Sequence, residues 1–93
     1  MKYKKRCHVF VHGAVQGVSF RSHMKATADR LGVRGWTKNL HGGRVEAIFE
    51  GSGEKIKEML EWCKKGSPRA SVRHIETIWE DPIGGFEGFS VIR

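Results

Sequence analysis

Apolar and polar residues alternate near the start of the chain with the two-residue period of a β-strand. Residues 5–11 show this alternation most clearly, so we predict the first strand there. Its apolar face consists of Cys7, Val9 and Val11. Beyond a loop that opens at Gly13, apolar residues recur at helical spacing from Phe20 to Leu31, and Gly32 is placed to end that helix. The chain therefore begins as strand, loop and helix.

Strand-like and helical periods continue to alternate through the rest of the chain. The other predicted elements are strands over residues 33–38, 44–50, 72–79 and 89–93 and a second helix over residues 53–65. Because residues 39–43 are turn-forming types, the second and third strands should form a hairpin. The order βαββαβ is typical of an α+β, ferredoxin-like sandwich, in which two helices cover one face of an antiparallel sheet. With only 93 residues, the chain (1–93) is expected to form a single domain.

Composition and charge narrow the class of protein. Hydrophobic residues make up 39% of the chain, which is enough for a modest core and too much for a disordered chain. Lys and Arg outnumber Asp and Glu by 17 to 10, and the resulting net charge of +7 favours an anionic partner. No apolar stretch approaches the ~18 residues that span a bilayer, and the basic residues 1–6 precede no signal-peptide core. We therefore expect a cytoplasmic protein that makes no membrane contact.

The loop between the first strand and the first helix is the strongest candidate for a binding site. It contains Gly13 and Gly17, and a glycine loop that leads into a helix can turn backbone N–H groups toward a phosphate. The first helical turn contains no acid and carries Arg21, a cation that is unfavourable at this end of the helix dipole unless an anion lies beside it. Gln16 and Asn39, the single Gln and single Asn of the chain, border the same loop. Two alternatives involve no binding site: Arg21 points into solvent, or the two amides lie near the loop by chance.

Other chemistries fit the sequence less well. Residues 13–18 are one residue too short between glycines for a Walker A loop and lack the Lys that should follow. His8 and His12 share a strand face, but their Cβ atoms would be ~13 Å apart, too far for one metal ion. Cys7 and Cys63 form no disulfide framework and no zinc-ligand pair. We therefore expect no metal site and no cofactor.

The remaining basic and imidazole side chains are assigned to the surface. Lys4, Lys5 and Arg6 are interpreted as solvated charges. His23 and His41 flank the predicted site and could tune it electrostatically, although exposed histidines without a role are the simpler interpretation.

Several segments together resemble the acylphosphatase family over essentially the whole chain. The resemblance rests on residues 13–21, 35–40, 43–46, 50–51, 66–72 and 89–91. It implies metal-independent hydrolysis of the carboxyl–phosphate bond of a small acyl phosphate, which yields a carboxylate and inorganic phosphate. It also implies that inorganic phosphate acts as product and inhibitor, and we expect a monomer.

The resemblance also implies which residues act. Arg21 would hold the phosphate and Asn39 would position the water. The implied phosphate-binding backbone N–H groups are those of Gly13, Ala14, Val15, Gln16, Gly17 and Val18. Physical chemistry agrees with the two side-chain roles, because guanidinium is a permanently charged fork that matches phosphate oxygens, whereas an amide orients water but removes no proton at neutral pH. The family commonly has Gly where this chain has Ser19 and Asp where it has Gly42, and Ser19 is expected to serve as an N-cap.

Two rival classes remain at this stage. A basic ferredoxin-like domain can bind RNA on sheet aromatics, and residues 85–91 superficially resemble such a motif, although Glu87 breaks its alternation and places an acid against the phosphates. The other rival is an acylphosphatase-like module that binds or regulates within a larger assembly.

Overall fold

The computed structural model describes residues 4–93, and residues 1–3 of the basic N-terminal run lie outside the described part. The elements are β1 (Lys4–Ala14), α1 (Phe20–Leu31), β2 (Arg34–Asn39), β3 (Val45–Ser52), α2 (Gly53–Lys65), β4 (Ser71–Glu80) and β5 (Phe89–Ile92). Every predicted element is present, and both helices have the predicted bounds. β1 continues three residues beyond the predicted end at Val11. None of the helices described is both long enough and apolar enough to cross a membrane.

The strands form one five-stranded sheet in the order β4-β1-β3-β2-β5. The first four strands pair antiparallel, as the ferredoxin-like prediction requires. β5 differs, because it runs parallel to β2 and pairs with it from Gly35 and Phe89 onward, so the sheet is mixed. The chain reaches this position by crossing from one sheet edge to the other through residues 81–88. The crossing places the end of β5 beside the start of α1, where Ile92 contacts Arg21.

The hydrophobic core lies between the helices and one face of the sheet. The predicted apolar face of β1 is fully buried, and its register partners on β3 are buried with it. These strand residues are Cys7, Val9, Val11, Val45, Ala47 and Phe49. The helices contribute Phe20, Met24, Ala28, Ile56, Met59 and Cys63. By strand alternation, the other face carries Arg6, His8, Phe10 and His12 from β1, and we call it the open face.

A buried carboxylate holds the crossing segment against the sheet. Glu50 of β3 is 5% exposed and accepts hydrogen bonds from the backbone N–H groups of Ile83 (2.8 Å) and Gly84 (3.0 Å). The Arg6 guanidinium lies 2.9 Å from the same carboxylate and 2.8 Å from that of Glu80. Arg6 is therefore mostly buried in an ion-pair network, and its prediction as a solvated charge was wrong. Its carboxylate partners lie on other strands, so local sequence gave no sign of them.

The Glu50 carboxylate makes stability depend on pH. Burial acts to raise its pKa, but the N–H groups of Ile83 and Gly84 and the Arg6 guanidinium outweigh burial, so the pKa is lowered. A lowered pKa means that the contribution to stability is complete above the unfolded-state value of about 4.3 and is lost as pH falls through the folded-state pKa.

We expect Glu50→Gln to lower the free energy of unfolding at pH 7 by about 1–3 kcal/mol, because buried donors lose their charged acceptor. The deficit should begin to shrink as pH falls below the unfolded-state value of about 4.3, and it should vanish once pH has passed the lowered folded-state pKa, where the wild-type carboxyl is itself protonated. Urea denaturation at pH 7 and at a series of pH values below about 4.3 measures this, with the exposed Glu87→Gln as the control. A deficit that stays constant across the series would show that charge on Glu50 contributes nothing.

Candidate active site

The strand that enters the predicted phosphate loop is longer than the sequence indicated. Gly13 and Ala14 are residues of β1 and pair with Val72 and Ser71 of β4, after a register shift between His12 and Gly13. The prediction that the loop opens at Gly13 was therefore wrong. A Cβ on Gly13 would lie 2.2 Å from the Ser71 carbonyl oxygen, so this glycine is required by the close approach of β4. The loop itself comprises residues 15–19.

Left-handed backbone conformations shape the loop at two positions. Gly17 has φ +77°, and Ser19 has φ +59° and is the one non-glycine residue with positive φ in the described chain. Positive φ at Ser19 strains a residue that carries a Cβ, which agrees with the glycine that the family resemblance implies at this position. Ser19 stands at the N-cap of α1, but its side chain makes no capping hydrogen bond, so that prediction was wrong. Instead its carbonyl oxygen accepts from the His23 backbone N–H (3.1 Å) and from His23 Nδ1 (2.8 Å).

Arg21 lies in the first turn of α1, and among the described residues its guanidinium has one hydrogen-bond partner. Its Nη1 donates to the carbonyl oxygen of Ile92 in β5 at 3.1 Å. The first turn contains no acid, and within residues 4–93 no carboxylate forms an ion pair with Arg21. A guanidinium has five N–H donors, so this one contact orients the group and leaves donors for a ligand.

Asn39 is the last residue of β2 and is exposed. The hairpin turn that follows it closes through backbone bonds, from Leu40 N–H to the Arg44 carbonyl oxygen (2.8 Å) and from Gly43 N–H to the Leu40 carbonyl oxygen (3.4 Å). Within residues 4–93 the Asn39 side chain makes no hydrogen bond to the turn. The amide is therefore free to contact a bound molecule.

A surface cleft of about 350 Å³ brings Arg21 and Asn39 together. Its lining residues are Val15, Gly17, Ser19, Phe20, Arg21, Ser22, Asn39, Val91 and Arg93. Four predicted site residues therefore line one cleft, whereas Gly13, Ala14, Gln16 and Val18 are not among its lining residues. His23 and His41 do not line it either. Among the described residues that line the cleft, the two charged ones are Arg21 and Arg93. This described lining includes no Asp, Glu, His, Lys or Cys.

Five residues of this cleft were not among the predicted site residues: Ser19, Phe20, Ser22, Val91 and Arg93. Ser19 and Phe20 were predicted only as a helix N-cap and as an apolar helical position. Ser22 directly follows Arg21 in the first helical turn, where exposure could have suggested it. Val91 and Arg93 reach the cleft only because β5 lies parallel to β2, and no local pattern encodes that pairing. A larger surface cavity of about 1010 Å³ lies elsewhere, between Lys4, Gly53 and Trp79, and contains none of the predicted site residues.

Gln16 ties the loop to the hairpin that carries Asn39. Its Nε2 donates to the carbonyl oxygens of Leu40 (2.8 Å) and Arg44 (2.9 Å), which lie on the two sides of the hairpin turn. The other end of the loop is bound to the segment between α2 and β4, where the buried hydroxyl of Ser67 donates to the Val18 carbonyl oxygen at 2.9 Å. The spacing between loop and Asn39 therefore depends on a side-chain amide.

We expect Gln16→Met to lower kcat by roughly 10-fold or more, because misplacing a positioned group by ~1 Å can cost about 10²-fold. Methionine keeps the length of the side chain and removes the donor, so the backbone N–H at position 16 is retained. Steady-state kinetics well below the melting temperature measure the effect, with His41→Ala in the same hairpin as the control. An unchanged kcat beside a lowered Tm would make Gln16 purely structural.

The two cysteines take no part in the site. Both are free and buried in the core. Burial raises the pKa of the Cys7 thiol to about 11, and burial likewise raises the pKa of the Cys63 thiol. Neither thiol is a nucleophile near neutral pH, because only the thiolate reacts.

Comparison with known proteins decides the family. The acylphosphatase family model matches residues 7–91 of the chain. The chain belongs to the acylphosphatase family. A curated acylphosphatase from Syntrophobacter fumaroxidans is 47% identical over 88 residues, which cover 95% of this chain and 91% of the relative. Another, from a Synechococcus strain, is 50% identical over 84 residues, which cover 90% of this chain and 89% of the relative.

Solved structures support the same family and fold. The crystal structure of acylphosphatase from Bacillus subtilis superimposes with a TM-score of 0.92 at 34% identity, covering 96% of this chain and 99% of that one. The chain is thus an acylphosphatase, a hydrolase on a ferredoxin-like α+β fold. The structure does not support the RNA-binding alternative, which needs Phe89 as an exposed aromatic. Phe89 is 3% exposed and packs against Phe49 in the core, so no base can stack on it.

Proposed function

We propose that this acylphosphatase hydrolyses the carboxyl–phosphate bond of small acyl phosphates without a metal ion, with Arg21 and Asn39 as its catalytic residues. The observation that carries the proposal is the cleft in which a partly free guanidinium and a free amide lie together at the N-terminus of α1. Such an arrangement provides charge stabilisation and positioning, which are the main requirements of phosphoryl transfer.

The phosphoryl group is bound by the loop and by Arg21. Of the backbone N–H groups implied over residues 13–18, those of residues 15–18 lie in the loop beyond β1, and together with the positive end of the α1 dipole they attract the anion. The Arg21 guanidinium spans two phosphate oxygens and stabilises the charge that develops on them during the reaction. The Arg93 guanidinium, which also lines the cleft, adds a second positive charge.

Asn39 orients the water that attacks phosphorus. Its amide donates one hydrogen bond and accepts another, so it fixes the water without deprotonating it. The new bond joins the water oxygen to phosphorus, and the bond between phosphorus and the bridging acyl oxygen breaks to release a carboxylate. Because the described lining of the cleft includes no side-chain base, the water proton passes to an oxygen of the substrate's own phosphoryl group. A carboxylate is a good leaving group, so no general acid is needed.

The proposal also covers the location, oligomeric state and domain organisation of the protein. We propose that the protein acts in the cytoplasm as a monomer and that residues 1–93 form one domain. The cleft holds the phosphate and leaves the acyl group near solvent, so the enzyme should accept several acyl groups.

An assay with benzoyl phosphate in the presence of a chelator tests the reaction. We expect full activity with chelator and at most trace activity on p-nitrophenyl phosphate. Inorganic phosphate should inhibit competitively, because it would occupy the same cleft as the phosphoryl group of the substrate. Loss of activity that returns on adding Mg²⁺ or Zn²⁺ would contradict metal independence. Noncompetitive inhibition would place the phosphate site elsewhere.

A further inference from the structure

Two imidazoles and a carboxylate meet on the open face, where β1 and β4 pair. His12 and His74 are register partners on these strands, and Glu76 follows two residues later on the same face of β4. His12 Nε2 lies 2.9 Å from the Glu76 carboxylate, and the two imidazole centroids are 5.1 Å apart. Within residues 4–93 these three form the one group of three His, Cys, Asp or Glu ligands whose donor atoms all lie within 4.8 Å of one another.

The strand pairing beneath this cluster is irregular. The register shift lies between His12 and Gly13, immediately beside the cluster. At Gly13 the missing Cβ lets the β4 backbone approach to a distance that no other residue would allow. His12 is half-buried while His74 and Glu76 are exposed, so one ligand is held and the other two can adjust by side-chain rotation.

We propose that His12, His74 and Glu76 bind one divalent late-transition-metal ion, such as Zn²⁺, at the surface of the sheet. Two neutral imidazoles and one carboxylate match a preferred ligand set of Zn²⁺, with metal–ligand bonds of about 2.0–2.2 Å, and water completes the coordination. Ligand atoms in a tetrahedral site are about 3.3–3.6 Å apart at those bond lengths, so the cluster needs only small side-chain rotations.

The donor set selects against the hard cations. Mg²⁺ and Ca²⁺ take oxygen ligands, and Ca²⁺ takes six to eight of them, whereas this cluster offers a single carboxylate. The Arg44 guanidinium, which stacks over Phe10 at 5.3 Å, adds positive charge on the same face. Weakly bound cations are therefore disfavoured, and imidazole affinity favours Zn²⁺, Ni²⁺ and Cu²⁺.

This site is separate from the catalytic cleft. None of its three residues lines the cleft, and strand alternation places Asn39 on the helix-covered face of the sheet. Bound metal would therefore link β1 to β4 without contributing to hydrolysis.

Titration of tag-free, metal-stripped protein with Zn²⁺ by calorimetry tests the proposal. We expect one ion per chain, with affinity at least about tenfold weaker in His74→Ala and in Glu76→Gln, since even the loss of a residue that only supports a ligand costs 10–100-fold. His41→Ala removes an exposed histidine outside the cluster and should bind as the wild type does. No saturable binding, or unchanged affinity in either cluster variant, would overturn the site.

The histidine ring signals in proton NMR give an independent readout. The chain has five histidines, and Zn²⁺ should shift the signals of His12 and His74 while leaving those of His8, His23 and His41 in place. Shifts confined to the other three histidines would refute the proposal. Benzoyl phosphate hydrolysis by His74→Ala should equal that of the wild type. The test of the metal site is therefore independent of the test of the hydrolytic activity.

Discussion

Arg21→Gln is expected to lower kcat/KM for benzoyl phosphate by roughly 10³-fold or more and to weaken the binding of inorganic phosphate. The reason is that the guanidinium supplies the charge-assisted contacts to the phosphoryl oxygens, and groups of this kind contribute about 10²–10⁵-fold in related chemistry. Stability should change little, because among residues 4–93 the Arg21 side chain makes one hydrogen bond, to the Ile92 carbonyl oxygen, and such a bond is worth about 1 kcal/mol. Steady-state kinetics, phosphate inhibition and a melting curve measure the three quantities.

Arg30→Gln is the matched control for this variant. Arg30 lies in the last turn of the same helix, is exposed, and does not line the cleft, so the substitution removes the same charge at a distance from the site. Near-native kinetics in Arg30→Gln beside a collapse in Arg21→Gln would localise the effect to the cleft. A near-native rate and KM in Arg21→Gln would return Arg21 to a surface role and remove the central element of the proposed mechanism.

Asn39→Ala should reduce kcat by about 10²–10³-fold while phosphate still binds within about threefold of its native affinity. The phosphate loop and Arg21 remain in place, so the substitution removes an interaction that matters only as water attacks. Loss of transition-state interactions alone lowers the rate without a matching loss of binding. The inhibition constant of phosphate and kcat, measured on the same preparation, separate these effects.

A turn-capping role for Asn39 is the competing explanation, and it makes a different prediction. Asn commonly caps turns, and loss of such a cap would lower Tm and substrate affinity together. The turn after Asn39 closes through the backbone bonds of Leu40 and Gly43, which argues for the free amide. Lys38→Ala, one residue earlier in β2, controls for general damage to the strand. A fall in Tm with a native rate per folded molecule would refute the water-positioning role.

Short-range patterns in the sequence were sufficient to predict the elements of this fold. The alternation around Val9 and the helical spacing from Phe20 are set by which faces must be buried, and that requirement acts over a few residues. The glycines, Arg21 and Asn39 could be chosen as site candidates for a similar reason. Their chemistry is unusual for the local element that carries them, and the resemblance to acylphosphatases added their roles.

Contacts between distant residues could be known only from the tertiary structure. The parallel addition of β5 brings Arg93 to the cleft, and the hydrogen bonds of Gln16 connect the loop to a hairpin 24 and 28 residues away. Gly13 was interpreted as a loop residue because a glycine alone does not reveal the strand that will press against it. His12 and His74 become neighbours through strand pairing, so no spacing along the chain predicts their cluster. The sequence by itself therefore determined which elements form and which side chains could act. The packing of elements far apart in the chain decided which of them meet, because that packing depends on the whole buried surface at once.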